Sequence, residues 1–487
     1  MGKKILLALS GGVDSAVACH LLLRAGHAVE GVHMRTWHGK DGLGDCPWRD
    51  DLESARSVAE FCKIPFRVVS LVDRYRQFVV EPFLRSYAAG ETPNPDMLCN
   101  RWIKFGALLE LARELGCDGL ATGHYCRTAA GEDGVHLLVG RDGTKDQSYF
   151  LAQVRREALP FLHFPLGNWK KMAVRRLARQ IGLPNADRPD SQGVCFLGGK
   201  VAAIGEFLLC HLGENPGDIV DRGGRRLGRH RGIFLHTIGQ RKGLAIPSNR
   251  DGEHYVAVAK DLAGNRLTVA LESSSDPALR VGAVALHSLN FLCRPLAGSH
   301  ALAARVRYRD PPVAAWLHMD GDGGPWVEFA RPQRALAPGQ HLAFYRGERL
   351  LGGGIYGEIL QKSHFSLGMA PPNAQTDPMG IQEEKPRPVG CCCGKGPVQG
   401  ATELPIRICV QCDVGFGNHL TIRGNGCGLC WCKGLPLCNR GADCWCWGAD
   451  KPLCGEYKLL INDEVWELGE NHRFCPGTVQ KICPQFP

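Results

Sequence analysis

The feature that most constrains this chain is the alternation, through its first two hundred residues, of short unbroken apolar runs with amphipathic stretches. Ile5–Leu9 is a continuous apolar run, as expected of a strand buried on both faces of a parallel sheet. Asp14–Ala25 has helical spacing, with Val17 and Leu21 flanked by Ala18 and Leu22, and stops at Gly26. Val29–Met34 then reads as a second strand, Leu52–Cys62 as a helix and Phe66–Leu71 as a third strand. Ile103–Leu115 reads as another helix and Gly119–Thr122 as a short strand. This order predicts an α/β fold: a doubly wound parallel sheet that binds ligands at the carboxyl ends of its strands.

With 487 residues, and roughly 100–200 residues per domain, about three or four domains are expected. Glycine (61) and proline (30) show no period, which excludes collagen-like and wholly disordered chains. The net charge of +9 permits a polyanionic partner without requiring one. No apolar run approaches the roughly 18–20 residues that span a bilayer, so no membrane partner is expected. Residues Met1–Leu9 imitate a secretory leader but break at Ser10-Gly11-Gly12, and Leu6 spoils a myristoylation signal, so the expected location is cytoplasmic.

Between the first strand and the first helix lies Ser10-Gly11-Gly12-Val13-Asp14-Ser15. Two glycines let the backbone approach a phosphate, and the helix start offers free N–H groups and a partial positive charge. The Gly-Lys-Ser/Thr ending of a Walker A loop is missing. The whole hexapeptide resembles the pyrophosphate-loop signature of ATP pyrophosphatases, which implies ATP as co-substrate and transfer of AMP to a substrate oxygen.

Domain boundaries follow composition. Residues 1–200 form the nucleotide-binding domain. Residues 201–277, Gly-rich and with Arg222, Arg225, Arg226, Arg229 and Arg231 close together, form a small central domain. In 278–361 the alternating runs Ala303–Tyr308, Trp326–Phe329 and Leu342–Tyr345 suggest a small antiparallel barrel. Proline-rich residues 362–403 are a linker, 404–475 a separate cysteine-rich β module and 476–487 a tail.

Of the 23 cysteines, nine lie in residues 1–390 and 14 in residues 391–487, so two different constraints shaped the two parts. Cys99 follows Thr92-Pro93-Asn94-Pro95-Asp96, an extended or turning segment. A helix begins a few residues later, so Cys99 is expected near a helix N-terminus with Arg101 and Lys104 beside it. Both features lower a thiol pKa, and Asp96 is placed to act as a base or to orient a substrate. A second loop thiol is Cys195, in Asp190-Ser191-Gln192-Gly193-Val194-Cys195-Phe196-Leu197-Gly198. Cys19, Cys62, Cys117, Cys126, Cys210 and Cys293 read as inert buried thiols, while Cys46 stands in a Gly-rich loop.

The hexapeptide, Thr92–Lys104, Ala121-Thr122-Gly123-His124-Tyr125, Lys145-Asp146-Gln147-Ser148-Tyr149-Phe150, Asp190–Gly198 and Thr237-Ile238-Gly239-Gln240-Arg241-Lys242-Gly243 occur in that order. Together they resemble the bacterial tRNA-specific 2-thiouridylases over residues 3–361. The resemblance implies ATP-dependent 2-thiolation of the wobble uridine of tRNA: adenylation of the C2 oxygen, then sulfur transfer from a cysteine persulfide. It implies that Cys195 carries the persulfide and that Cys99 frees the sulfur and ends disulfide-bonded to Cys195. Asp96 would be the acid/base, with Asn94 and Pro95 at the target base. ATP would be held by Ala8, Leu9, Ser10, Gly11, Gly12, Val13, Asp14, Ser15, Met34 and Gly123, with Mg²⁺ on the pyrophosphate and no protein metal site. His124, Lys145, Asp146, Gln147, Arg307, Tyr308 and Gln340 match positions that touch tRNA. A persulfide donor, a cysteine desulfurase or sulfur relay protein, is an implied partner. Phosphate contacts are expected from Lys170, Lys171, Arg175, Arg176 and Arg179, from Arg222–Arg231, and from Arg305, Arg307 and Arg309.

Residues 404–475 stay outside that resemblance. Cys409, Cys412, Cys427 and Cys430 approach a four-cysteine zinc spacing. Trp431, Lys458 and Trp466, in their order around Glu456-Tyr457-Lys458, resemble family-20 starch-binding modules instead. A sugar, a metal, or a structural or redox appendage all stay open here. For the whole chain the rivals to an RNA-thiolating enzyme are an RNA- or carbohydrate-binding adaptor that keeps the fold, and an adenylating ligase with another acceptor.

Overall fold

A computed structural model describes residues 2–37, 48–190, 203–244, 246, 253–274, 276–320 and 324–360 of a first compact unit, and 406–412, 420–425, 429, 435–439, 444–449, 454–461, 465–467, 470–474 and 479–484 of a second. The first unit opens with strand β1 (Lys4–Ala8), helix α1 (Val13–Arg24), strand β2 (Ala28–Arg35), helix α2 (Trp48–Phe61) and strand β3 (Phe66–Ser70). With β4 (Gly119–Ala121) and the two-residue strand Leu162–His163 they form a wholly parallel sheet in the order β3-β2-β1-β4-(162–163). The strand order reverses direction at β1, and the loop after β1 sits at that switch point, where open α/β sheets bind ligands. Ile5, Leu6 and Leu7 have no exposed surface, as their unbroken apolar run requires.

Residues 205–271 carry a four-stranded sheet in the order (255–261)-(266–271)-(217–220)-(226–230), preceded by the helix Ala203–Leu212. Residues 281–360 close a six-stranded antiparallel barrel: Val281–Phe291 pairs with both Trp326–Gln333 and Arg349–Leu360. The barrel sheet does not end with its own residues. The hairpin Cys126–Gly131 and Gly134–Val139 of the nucleotide domain adds to it, with Leu138 opposite Arg349 and Leu137 opposite Leu350. The alternation rule had not placed strands there.

The expected helix over Ile103–Leu115 is longer. Asn94 is extended and caps a helix that starts at Pro95, its side chain accepting from the Asp96 N–H at 3.0 Å. Helical winding then runs on as a π-helix over Cys99–Ala107 and an α-helix over Leu108–Glu114. Proline at the first helical position costs no hydrogen bond, which is why the Thr92–Pro95 stretch breaks the helix only upstream.

The second unit holds two sheets around one core of Ile408, Val410, Leu420, Ile422, Tyr457 and Leu459. The expected tail is part of it: Val479–Ile482 pairs in parallel with Ile406–Gln411. Trp445 and Tyr457 are buried, and Trp445 donates to the Cys412 carbonyl at 3.1 Å. Cys427, Cys430 and Trp431 lie outside the described residues. Among the described residues no group of three His, Cys, Asp or Glu is placed to hold a metal.

Candidate active site

Gly11, φ +82°, turns the chain sharply after β1. Its carbonyl accepts from three distant donors: Ser54 of α2 at 2.7 Å, Asn185 at 2.8 Å and Arg188 at 3.2 Å. A Cβ at Gly11 would meet the Asp51 carbonyl oxygen at 2.3 Å, so only glycine fits. Ser15 donates to the Gly12 carbonyl at 3.0 Å, and Ser10 N–H donates to Ser15 Oγ at 3.2 Å, so the two serines brace the loop internally. With Gly11 O pinned outward and Gly12 capping α1 without a side-chain bond, the helix N-terminus stays open toward an anion.

The segment Ala121–Tyr125 connects this loop to the cysteine helix. A Cβ on Gly123 would stand 3.0 Å from Ser15 N and 3.1 Å from the Asp14 carbonyl carbon, so this position lies directly on the helix start. Tyr125 donates its hydroxyl to Asp14 at 2.8 Å, while its backbone exchanges hydrogen bonds with Gln147 at 3.0 Å in each direction. His124 is buried between Phe105 and Phe164 with Nδ1 2.8 Å from Thr122 Oγ1. Burial, helped by the Lys104 charge, pushes its pKa well below the usual histidine range, so it is neutral. Asp96 is half-buried; desolvation raises its carboxyl and Lys104 opposes the rise.

Cys99 is 6% exposed. It is the fifth residue of its helix, past the first four N–H groups that lack a partner within the helix. The Arg101 guanidinium donates to the Gln153 carbonyl at 3.0 Å and to Asn290 Oδ1 at 3.4 Å, fastening the helix to the barrel. The expected place of Cys99 at a helix N-terminus is corrected: the helix starts at Pro95, four residues before it. The Lys104 charge acts on both Asp96 and His124. Asn100 holds the Phe150 carbonyl at 3.1 Å, and Phe150 packs on Tyr308 with ring centroids 4.4 Å apart. Cys195 lies outside the described residues.

Other expected RNA contacts occupy different positions. Asp146 is buried, accepting from Gly140 N–H, Ser148 N–H and Ser148 hydroxyl and pairing with Arg305 at 2.6 Å, so neither Asp146 nor Arg305 turns its charge outward. Lys145 pairs with Asp190 at 3.1 Å. Arg307 donates to the Arg334 and Ala335 carbonyls at 2.8 and 2.7 Å. Gln340 is half-buried, and its Oε1 has no hydrogen-bond partner among the described residues. Met34 is half-buried at the end of β2. The Arg222–Arg231 group is locally balanced: Arg222 pairs with Asp276, Arg225 with Asp221, Arg226 and Arg229 with Asp218, and Arg231 with Glu206 and Glu214. Sequence reasoning missed Ser54, Asn185 and Arg188, which converge on Gly11 only in three dimensions and carry no local signal.

A glycine-turned loop at the switch point of a parallel sheet, backed by an open helix N-terminus, defines a nucleotide-binding α/β domain of the pyrophosphate-loop class. Three family models match in series: a tRNA methyl transferase HUP domain over residues 3–199, the corresponding PRC-barrel domain over 205–271 and an aminomethyltransferase β-barrel domain over 281–356. Full-length relatives are more specific. A tRNA-specific 2-thiouridylase of Akkermansia muciniphila is 44% identical over 357 residues, covering 73% of this chain and 99% of its own. That of Halorhodospira halophila is 44% identical over 380 residues, covering 77% and 97%. The chain belongs to the tRNA-specific 2-thiouridylase family. A U34-tRNA thiolase structure from Methanococcus maripaludis covers 43% of this chain and 67% of its own at 18% identity and a TM-score of 0.27, too low to bear on function.

Proposed function

We propose that the chain thiolates C2 of the wobble uridine of tRNA at the expense of ATP, with Cys99 and Cys195 as the sulfur-handling pair. The observation that carries this reading is the Gly123-His124-Tyr125 segment, which lies on the nucleotide loop through Gly123 and Tyr125 and on the Cys99 helix through His124. A phosphate site and a thiol are thereby held by one short stretch of chain.

Residues 8–15 with Met34 and Gly123 bind ATP, the open N–H groups of α1 facing its phosphates. Mg²⁺ bound with the nucleotide would supply charge neutralisation for the departing pyrophosphate. The C2 oxygen takes AMP, and the terminal sulfur of a Cys195 persulfide then attacks C2 and expels AMP. The Cys99 thiolate attacks Cys195 Sγ, the S–S bond breaks, and C2 keeps the outer sulfur as a thione. The resulting Cys99–Cys195 disulfide needs an external thiol before the next turnover. Asp96, its carboxyl raised by burial, suits a group that takes and returns a proton at the base, which Asn94 and Pro95 border. Neutral His124 adds no charge to that corner. The target base leaves the anticodon stack to enter; Lys145, Gln147, Arg307, Tyr308 and Gln340 form the RNA-facing set, with the buried His124 and Asp146 supporting it from within. A persulfide donor of the cysteine desulfurase or sulfur relay kind supplies Cys195 in the cytoplasm.

Residues 404–487 act as an accessory module. Lys458 and the backbone of Trp466 stand in adjoining strands there, which supports a sugar ligand that titration with β-cyclodextrin tests. The test of the main reading is nucleoside mass spectrometry of unmodified tRNA incubated with the protein, ATP, Mg²⁺ and a persulfide source. Appearance of 2-thiouridine is expected. Its absence while tRNA still binds would return the adaptor reading to first place.

A further inference from the structure

Asp190 is the last described residue before the segment that carries Cys195, five positions downstream. Five residues of extended chain span at most roughly 17 Å, so whatever holds Asp190 limits where Cys195 can go. Asp190 is held by three cations. One carboxylate oxygen meets Lys171 at 2.7 Å and Arg175 at 2.5 Å, and the other meets Lys145 at 3.1 Å. Lys171 in turn places the same ammonium 2.7 and 2.8 Å from the two oxygens of Asp14, in the nucleotide loop. Upstream, Arg175 also binds the carbonyls of Ala186 and Arg188, while Asn185 and Arg188 bind Gly11 O.

The strap 185–190 is thus tied to the nucleotide loop twice, through the Gly11 carbonyl and through the Asp14–Lys171–Asp190 chain. Partial burial disfavours the Asp190 carboxylate, yet the bonds from Lys171, Lys145 and Arg175 outweigh it and hold the carboxyl at about 2, so the anion is present at any working pH. On the RNA-facing side the same anion holds Lys145.

We propose that Asp190 is a positioning residue that couples the two halves of the reaction: through Lys171 and Lys145 it holds the root of the Cys195 segment to the nucleotide loop, so that sulfur arrives at an adenylated uridine before water does. The inference rests on the thiolase reading above. Without this tie adenylation proceeds, but water attacks C2 and expels AMP together with the original oxygen, leaving a C2 carbonyl whose oxygen comes from water and consuming ATP without product.

The experiment measures AMP released per 2-thiouridine formed, with the full chain and unmodified tRNA, for wild type, Asp190→Asn and Asp190→Glu. Wild type should give a ratio near one. Asp190→Asn should lower 2-thiouridine formation at least tenfold, raise the ratio several-fold and leave the KM for ATP within about threefold, and Asp190→Glu should recover most of the coupling. A ratio that stays near one in Asp190→Asn, whether thiolation is kept or falls together with AMP release, overturns the proposal. Lys145→Met, which removes only the outer cation, serves as the second variant if Asp190→Asn does not fold, and an unchanged ratio there counts equally against coupling. Absence of 2-thiouridine in the wild type would instead overturn the thiolase reading.

Discussion

The nucleotide loop and the Cys99 helix are neighbours held by different forces. The loop is fastened by polar bonds from far along the chain: three donors on the Gly11 carbonyl, Lys171 and Tyr125 on Asp14, and three cations on Asp190. The helix is held largely by packing, with Met97, Leu98, Cys99, Ile103 and Phe105 buried along it, and by a π-helical stretch in the middle. π-Helical turns are rare and often mark functional sites, since the extra residue per turn shifts which side chains share a face. A phosphate site needs fixed backbone dipoles, whereas a thiol needs a dry wall from which it can react. On the proposed function, each region uses the interaction that suits its chemistry.

Breaking the packed half at its reactive atom should have the largest effect. Cys99→Ser removes the proposed nucleophile and little volume, so 2-thiouridine formation should fall at least about 10³-fold with the melting temperature within a few degrees of wild type. Retained thiolation would remove Cys99 from the mechanism. Breaking the polar half at its hinge comes next. Gly11→Val puts a branched side chain at φ +82° and against the Asp51 carbonyl, costing about 2–4 kcal/mol of stability together with ATP binding. Denaturant melts and nucleotide titration check both consequences, and a stable, ATP-binding variant would contradict the account of the turn.

Acid should separate the halves by sign. Asp190 has its carboxyl lowered to about 2 from 3.8, so its contribution to stability is complete above pH 3.8 and is lost as the pH falls through 2. Asp96 is raised above 3.8, so the folded protein holds that proton more tightly, and its contribution is lost as the pH rises from 3.8 through the folded value. Comparing stability against pH between 2.5 and 6 for Asp96→Asn and Asp190→Asn with wild type should give difference slopes of opposite sign. Equal signs would refute the assignment. The smallest effect is expected from the second unit: a chain ending at residue 362 should thiolate within about twofold of the full length, measured in the same nucleoside assay.

How much of this was legible in the sequence differs along the same divide. Strands β1, β2 and β3 and helix α1 were readable because parallel strands and amphipathic helices impose periods on their residues. The glycines of the loop were readable because only glycine tolerates the turn and the close approach of Asp51. Asn94 was readable as the end of extended chain but not as a cap, since a proline pair can either stop or start a helix. Arg101 has a second use that its sequence neighbourhood does not show: it reaches across to Gln153 and Asn290. Ser54, Asn185 and Arg188 were invisible, because a contact between residues 11 and 185 leaves no trace in either neighbourhood.

The hairpin that the nucleotide domain lends to the barrel also bears on biosynthesis. Strand Gly134–Val139 presents its edge to a partner, Arg349–Leu360, that leaves the ribosome about 210 residues later. At common synthesis rates that interval is roughly 10–40 s, during which an apolar strand edge bearing Val135, Leu137 and Val139 has no mate. The chain completes its first domain only when its barrel arrives, so the nascent protein is exposed to mispairing for about two fifths of its own translation.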